Sequence, residues 1–273
     1  NMALVIQEVV GSQYGDYYYP HISGVAQSYN YYPFAHMKPE EGFAVTALGL
    51  GKYVVEGEKA FRFSPRYPNL EINSPRDQYK NSQVEFFAVD LSREHLNLLE
   101  GEDAGLARLD LDDAEMHTSL KHIASVYDID NERITPGLNK PGPRIVNFAD
   151  ILKYNYIPLS KTIEVVLDVV HEAMGTPVEI EFAVDLNKDS SLKASFFLLQ
   201  IKPLLGAAQD YNVNMKDIPE DRIVLYSEKA MGNGLVEGVR DVIYVCQERF
   251  DKSKTREMAA VIEALNVKMG AGN

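Results

Sequence analysis

The segment EIEFAVDLNKDSSLKASFFLLQIKPL, Glu179–Leu204, decides how the chain is read. In a strand successive side chains point to opposite faces, so Glu179, Glu181 and Asp185 fall on one face of the first apolar run and Ile180, Phe182 and Val184 on the other. The same alternation groups Leu198, Gln200 and Lys202 on the second run. Between the runs, the polar stretch NKDSS suits a hairpin connection that would set the two faces side by side. The product is a patch of carboxylates, an amide oxygen and a cation. Such a donor set suits a magnesium nucleotide, because Mg2+ takes hard oxygen ligands, usually one or two carboxylates plus substrate phosphates, and a cation offsets phosphate charge. It suits equally an amphipathic hairpin with a solvated outer face, and the spacing alone leaves both readings open.

At 273 residues the chain is long enough for one large domain or two small ones, and 45% hydrophobic with 25% charged residues is the composition of an ordinary globular protein. No apolar run approaches the about 20 residues of a bilayer span, and no secretory pattern opens the sequence, so no membrane role is expected. The net charge of -13 argues against nucleic acid, whose phosphates are held by clustered Lys and Arg. The tyrosine-rich front, YGDYYYPHISG followed by YNYYPFAH, resembles a base-stacking platform but has no basic residue before Lys38; a sheet surface or a partner contact is expected there. A polyanionic ligand would need a local patch or a divalent metal. The single cysteine, Cys246, excludes a disulfide within the chain and fits a reducing cytoplasm; in the apolar run DVIYVCQ it reads as a buried, inert thiol. The six histidines show no zinc spacing.

Strand-like runs lie at Ala3–Val10, Gly42–Ala47, Val84–Val89, Val178–Asp185 and Ser195–Ile201. Helical periodicity is clearest over Lys161–Met174, with Ile163, Val166, Leu167 and Val170 on one face, Ser160 as cap and Gly175 as stop. A second helix is expected over Asp113–Tyr127, with Met116, Leu120, Ile123 and Tyr127 inward, and a third over Thr255–Val267. NERITPGLNKPGPRI, residues 131–145, reads as a loop. Periodicity is lost after Pro203, which sets a boundary between residues 1–205 and 206–273. Beyond it RIVLYSE and DVIYVCQ read as two strands of a small α/β extension flanking the turn MGNGLVEG. The apolar start NMALVIQEVVG and the end LNVKMGAGN read as the boundaries of a piece of a longer protein.

Four motifs, in order, carry a resemblance. MALVIQEVV is an apolar strand with a Gln and a hydrophobic pair; SGVA, Ser23–Ala26, is a tight turn; ALGLGKYVVEGE follows; and Glu179-Ile180-Glu181 precedes a strand closing in Gln200-Ile201-Lys202-Pro203. Over residues 2–204 this resembles the nucleotide-binding domain of the phosphoenolpyruvate synthase and pyruvate phosphate dikinase family. The resemblance implies an α+β, ATP-grasp fold in which two lobes clamp Mg-ATP between antiparallel sheets, this chain being mainly the C-terminal lobe with flanking helices. It implies ATP and Mg2+ as cofactors, with Glu181 and Gln200 on the metal, Glu179 supporting them, Lys202 on the phosphates in the catalytic role, and Gln7, Glu8 and Val10 beside the adenine. The implied activity is Mg-ATP-dependent phosphorylation of a carrier histidine and then of pyruvate or another acceptor.

The sequence departs from the family pattern at three places: Lys202 stands for Arg, Glu179 for Asp, and Lys52 where the Gly-Leu-Gly motif ends in Glu. Lysine keeps the charge but loses the planar fork that grips two oxygens. The family's phosphate-binding Lys and Arg of the other lobe are not visible, nor is the Thr-Cys-His motif of the carrier domain. The expected partners are therefore ATP, a missing N-terminal lobe and a carrier-histidine domain of the same full-length protein, and the chain alone is expected to transfer no phosphoryl group. A non-catalytic nucleotide-binding or regulatory module with the same fold is the alternative.

Overall fold

The computed structural model describes residues 6–71, 73–187, 193–204, 218–226, 238–246 and 250–269. In chain order the strands are β1 (Ser12–Tyr14), β2 (Tyr17–Tyr19), β3 (Ile22–Gln27), β4 (Phe43–Ala47), β5 (Phe61–Phe63), β6 (Glu85–Asp90), β7 (Leu106–Asp110), β8 (Ala124–Asp128), β9 (Arg133–Pro136), β10 (Arg144–Val146), β11 (Val178–Asp185) and β12 (Ser195–Pro203). The helices are α1 (Lys52–Val55), α2 (Pro75–Lys80), α3 (Leu111–Met116), α4 (Ala149–Leu152), α5 (Leu159–Met174) and α6 (Thr255–Lys268). Three antiparallel sheets result: β12-β11-β3-β4-β5, β1-β2-β6-β7 and β10-β8-β9. This is the α+β, mainly antiparallel architecture the sequence implied.

The five-stranded sheet carries the site. Alternation sends Ile22 and Ala26 of β3, Ala44 of β4, and Ile180, Phe182 and Val184 of β11 into one core. Helix α5 packs on β11 and β3 and closes that face with Ile163, Leu167 and Val170, all buried, which leaves the opposite face of the strands for other work. Gly24 is what lets the sheet close: a Cβ there would stand 2.5 Å from the Val45 carbonyl oxygen and 2.6 Å from the Phe182 ring. Burying each large aliphatic or aromatic side chain here contributes about 1.5–3 kcal/mol.

Several expectations are corrected. The helix expected over Asp113–Tyr127 is α3 followed by a turn and strand β8. Asp110 caps α3, accepting from the backbone N–H groups of Asp112 and Asp113, but Thr118 and His122 adopt φ of 62° and 72°, which a helix cannot continue through. Leu120, Ile123 and Tyr127 are buried as expected, whereas Met116 is 74% exposed. The loop expected over residues 131–145 contributes β9 and β10, because β8 offers both backbone edges for pairing. Ser160 is not the cap of α5. Pro158 holds that position and Thr162 Oγ1 donates to its carbonyl, so the helix begins at Leu159, which is buried, and Ser160 Oγ is enclosed without a partner.

The expected strand Ala3–Val10 is in part outside the described residues; its described part, Ile6–Val10, pairs with no strand. The first half of the tyrosine-rich front forms sheet, as β1, β2 and β3, whereas YNYYPFAH, residues 29–36, joins no strand; Tyr19 is core rather than surface, its hydroxyl bonded to Ser119 Oγ and His117 Nδ1 at 2.9 Å each.

By Cα proximity the chain falls into two units, Asn1–Asn233 and Gly234–Asn273. The second carries α6. No strand forms in the described parts of the two expected C-terminal runs, residues 222–226 and 241–246. Val224, Val242 and Tyr244 are 93%, 56% and 64% exposed, and an apolar run with no sheet to pair with and no face to bury gains nothing from extension. Cys246 is half-buried rather than buried. Gly232 and Gly234 of the glycine turn lie outside the described residues. Among the described residues no helix is long and apolar enough to cross a membrane.

Candidate functional site

The β11–β12 ladder pairs Glu179 with Lys202 and Glu181 with Gln200, so all four groups stand on one face of the sheet, as alternation required. Leu198 does not join them. The register slips between Glu181 and Phe182, and Phe182 pairs with Leu198, leaving Leu199 as an extra residue on β12. Such a bulge reverses the alternation beyond it and turns Leu198 to the Phe182 face. The carbonyl of the bulged Leu199 accepts from Gln7 Nε2 at 3.2 Å.

At the charged end of the face, Lys202 Nζ donates to Glu181 Oε1 at 2.5 Å and stands 4.0 Å from Glu179 Oε1. Glu179 is held from the other side: Gln27, its register partner on β3, donates from Nε2 to Glu179 Oε2 at 2.7 Å. The hydrogen bond from Lys202 to Glu181 holds the lysine above its ordinary pKa, so the ammonium is fully charged at neutral pH. Two carboxylates, the Gln200 amide and one ammonium thus share one open face.

At the other end lies a cavity of about 700 Å3. Gln7, Glu8, Val9, Val10 and Gly11 line one side, and Phe196, Phe197, Leu198 and Leu199 of β12 the other, with Tyr18, Asp185 and Asn187 adding polar atoms. The mixture of aromatic and aliphatic walls with a few polar groups is that of a small-molecule site. The structure therefore brings Gln7, Glu8 and Val10 together with β12, while Glu179, Glu181, Gln200 and Lys202 form a separate group; the cavity lining stops at Leu199 and the charged group starts at Gln200.

Asp185 at the cavity wall is fixed by a network that the sequence did not disclose. Ser12 Oγ donates to Asp185 Oδ2 at 2.6 Å, the Asn187 backbone N–H to Oδ1 at 2.9 Å, and His21 Nδ1 lies 3.0 Å from Oδ1. Tyr14 OH sits 2.9 Å from His21 Nε2, and the Leu186 backbone N–H approaches Nδ1 at 3.2 Å, so Nδ1 stands between that N–H and Asp185 Oδ1. Burial pushes the Asp185 carboxyl up, but the bonds from His21, Ser12 and Asn187 outweigh it and hold it below the usual range. Burial, with the Asp185 charge nearby, pushes the Tyr14 hydroxyl up to about 12. Ser12, His21 and Gln27 gave no local signal, since each acts through a partner at least 150 residues away in sequence.

The remaining motifs meet at the same sheet. SGVA is not a turn but the middle of strand β3, paired on both sides with β11 and β4, and Ser23 Oγ donates to the Gly49 carbonyl at 2.6 Å, tying β3 to the ALGLGK turn. Gly49 has φ 85° and sits so close to Phe87 O, 2.7 Å from where a Cβ would be, that only glycine fits. Lys52, just beyond, is engaged by Glu56 at 2.6 Å and Asp103 at 3.1 Å.

Among the described residues no group of three or more His, Cys, Asp or Glu is placed to hold a metal by itself. No curated protein matches the chain. The family model described as pyruvate phosphate dikinase, AMP/ATP-binding domain, matches residues 1–222. With a match over most of its length, the chain belongs to the family of pyruvate phosphate dikinase AMP/ATP-binding domains.

Proposed function

We propose that this chain forms one wall of a Mg-ATP site in a phosphoenolpyruvate synthase-like phosphotransferase, in which ATP phosphorylates a carrier histidine that passes the group to pyruvate or another acceptor. The observation that carries this reading is the run along β12, where a nucleotide-sized cavity bounded by Gln7–Gly11 is followed at once by Gln200 and Lys202 opposite two glutamates. The unpaired backbone of Ile6–Val10 offers the donors and acceptors that an adenine edge requires. Phe197 and Val10 supply apolar surface for the ring.

The donor set fits magnesium. Mg2+ keeps several waters and takes one or two protein carboxylates plus phosphate oxygens, so Glu181 and Gln200 would hold it, with Glu179 lending charge from its place beside Gln27. Bound there, the ion would neutralise phosphate charge during transfer. Lys202 binds a phosphate oxygen and stabilises charge that builds up in transfer. Gln7 fixes the adenine segment against the β12 bulge, which sets the base and the phosphate end on one rigid strand. The other lobe and the carrier histidine belong, in this reading, to the same full-length protein in a reducing cytoplasm, and residues 206–273 contribute nothing to the nucleotide site.

Glu181→Gln in protein that carries both lobes and the carrier histidine tests the reading. Removing such a preorganised charge costs about 3 kcal/mol or more, so ATP-dependent phosphorylation should fall at least ~100-fold with the melting temperature unchanged. The purified chain alone should show no transfer above a Glu181→Ala control. Normal activity and magnesium dependence in Glu181→Gln would reject the site.

A further inference from the structure

Two glutamates on one strand face repel each other unless a cation stands between them, and here that cation belongs to the chain. Glu179 and Glu181 lie about 7 Å apart along the strand. Lys202 is the register partner of Glu179, yet its ammonium reaches diagonally to Glu181 at 2.5 Å and stays 4.0 Å from Glu179. Gln27 holds Glu179 from the other side, through Oε2. Among the described residues Lys202 is the one side-chain partner that Glu181 has. The lysine side chain is 45% exposed and has four rotatable methylenes, so it can leave without disturbing the sheet.

We propose that Lys202 is a resident counter-ion that keeps divalent metal off Glu181 until a phosphate draws its ammonium away, so that metal enters with the nucleotide and not ahead of it. The inference rests on the reading above, in which Glu181 faces the metal and Lys202 a phosphate. Before nucleotide arrives, a divalent ion must expel the ammonium from its only anionic partner at close range and leave it beside a dication. After nucleotide arrives, the ammonium has a phosphate oxygen to move to, and Glu181 is released. Metal and nucleotide affinities are then coupled through one side chain, and linkage makes the coupling reciprocal: each ligand strengthens the other by the same factor. The coupling needs no domain movement, only a change of partner at the end of a flexible stem.

Mn2+ binding to the full 273-residue chain, read from the free-ion electron paramagnetic resonance signal, tests this directly. With Mn2+ alone, Lys202→Met should bind at least ~10-fold more tightly than wild type, a gain within the range usual for linked sites. The gain should vanish in Lys202→Met/Glu181→Gln. Adding AMP-PNP, with the metal held by free nucleotide subtracted, should strengthen Mn2+ binding in wild type far more than in Lys202→Met. Lys202→Gln serves as a second neutral variant, so that a folding defect in one does not decide the outcome. Equal Mn2+ affinity in wild type and both neutral variants, with AMP-PNP-dependent binding still lost in Glu181→Gln, overturns the counter-ion role alone. AMP-PNP-dependent Mn2+ binding indifferent to Glu181→Gln overturns the placement of the metal, and the counter-ion role with it.

Discussion

At one end of the β11–β12 ladder Asp185 is fixed by Ser12, His21 and the Asn187 backbone; at the other Glu181 is held by a single lysine on a flexible stem. Both carboxylates lie on the same strand and the same face, and their side chains are 15% and 25% exposed. What separates them is the kind of partner. Asp185 has neutral or ring donors in β1, just ahead of β3 and just after β11, so its orientation belongs to the fold. Glu181 has a mobile cation, so its negative charge can be handed to another positive group. A carboxylate whose donors are built into the scaffold positions a wall; one whose counter-ion can move is free to take a ligand.

The largest expected break of this contrast is in stability. Asp185→Ala should cost about 3 kcal/mol by denaturant titration, because it strands buried donors and a histidine, whereas Glu181→Ala removes a part-exposed pair and should cost less than about 1 kcal/mol. Equal losses would erase the distinction between the two ends. The Asp185 contribution also has a pH signature. Its folded-state pKa is lowered, so the stability it supplies is present above the unfolded value of about 3.9 and is lost as pH falls through the lower, folded one. The gap between wild type and Asp185→Asn should therefore close only under acid conditions.

A smaller effect is expected at the junction of the two ends. Gln7→Ala removes the bond to the Leu199 carbonyl, worth about 1 kcal/mol, and should weaken AMP-PNP binding ~5-fold while leaving Mn2+ binding without nucleotide unchanged. A loss of metal binding would mean the bulge clasp supports the charged end as well. Smallest of all, Lys202→Arg should be neutral or favourable for AMP-PNP affinity, since the guanidinium reaches the same place with a bidentate fork. A clear loss would show that the compact, mobile ammonium is itself required.

The shared face of the candidate site was legible in the sequence where its residues are neighbours along a strand. Glu179 and Glu181, and Gln200 and Lys202, share a face by alternation alone, and the ordered motifs pointed to the right family. The bulge at Leu199 was not legible, because nothing in SFFLLQIKP marks which leucine goes unpaired; that is set by the partner strand and by Gln7. Gln27, Ser12 and His21 were missed because their roles arise from pairing across the fold. The Asp113–Tyr127 segment failed for a related reason: Leu120, Ile123 and Tyr127 have helical spacing and are indeed buried, but a turn followed by a strand buries them equally well. Past Pro203 the apolar runs read as strands, and without a sheet partner in the described residues they form none.

The central claim is that one face of β11–β12 carries the nucleotide, base toward Gln7–Gly11 and phosphates toward Lys202. Crystals of the chain soaked with Mn2+ and AMP-PNP, read in an anomalous difference map, test it most directly. The account predicts a manganese peak within coordination distance of Glu181 and Gln200, Lys202 moved from Glu181 onto a phosphate oxygen, and the adenine between Val10 and Phe197. A manganese peak away from this face, or a nucleotide bound elsewhere with Lys202 still on Glu181, would contradict it.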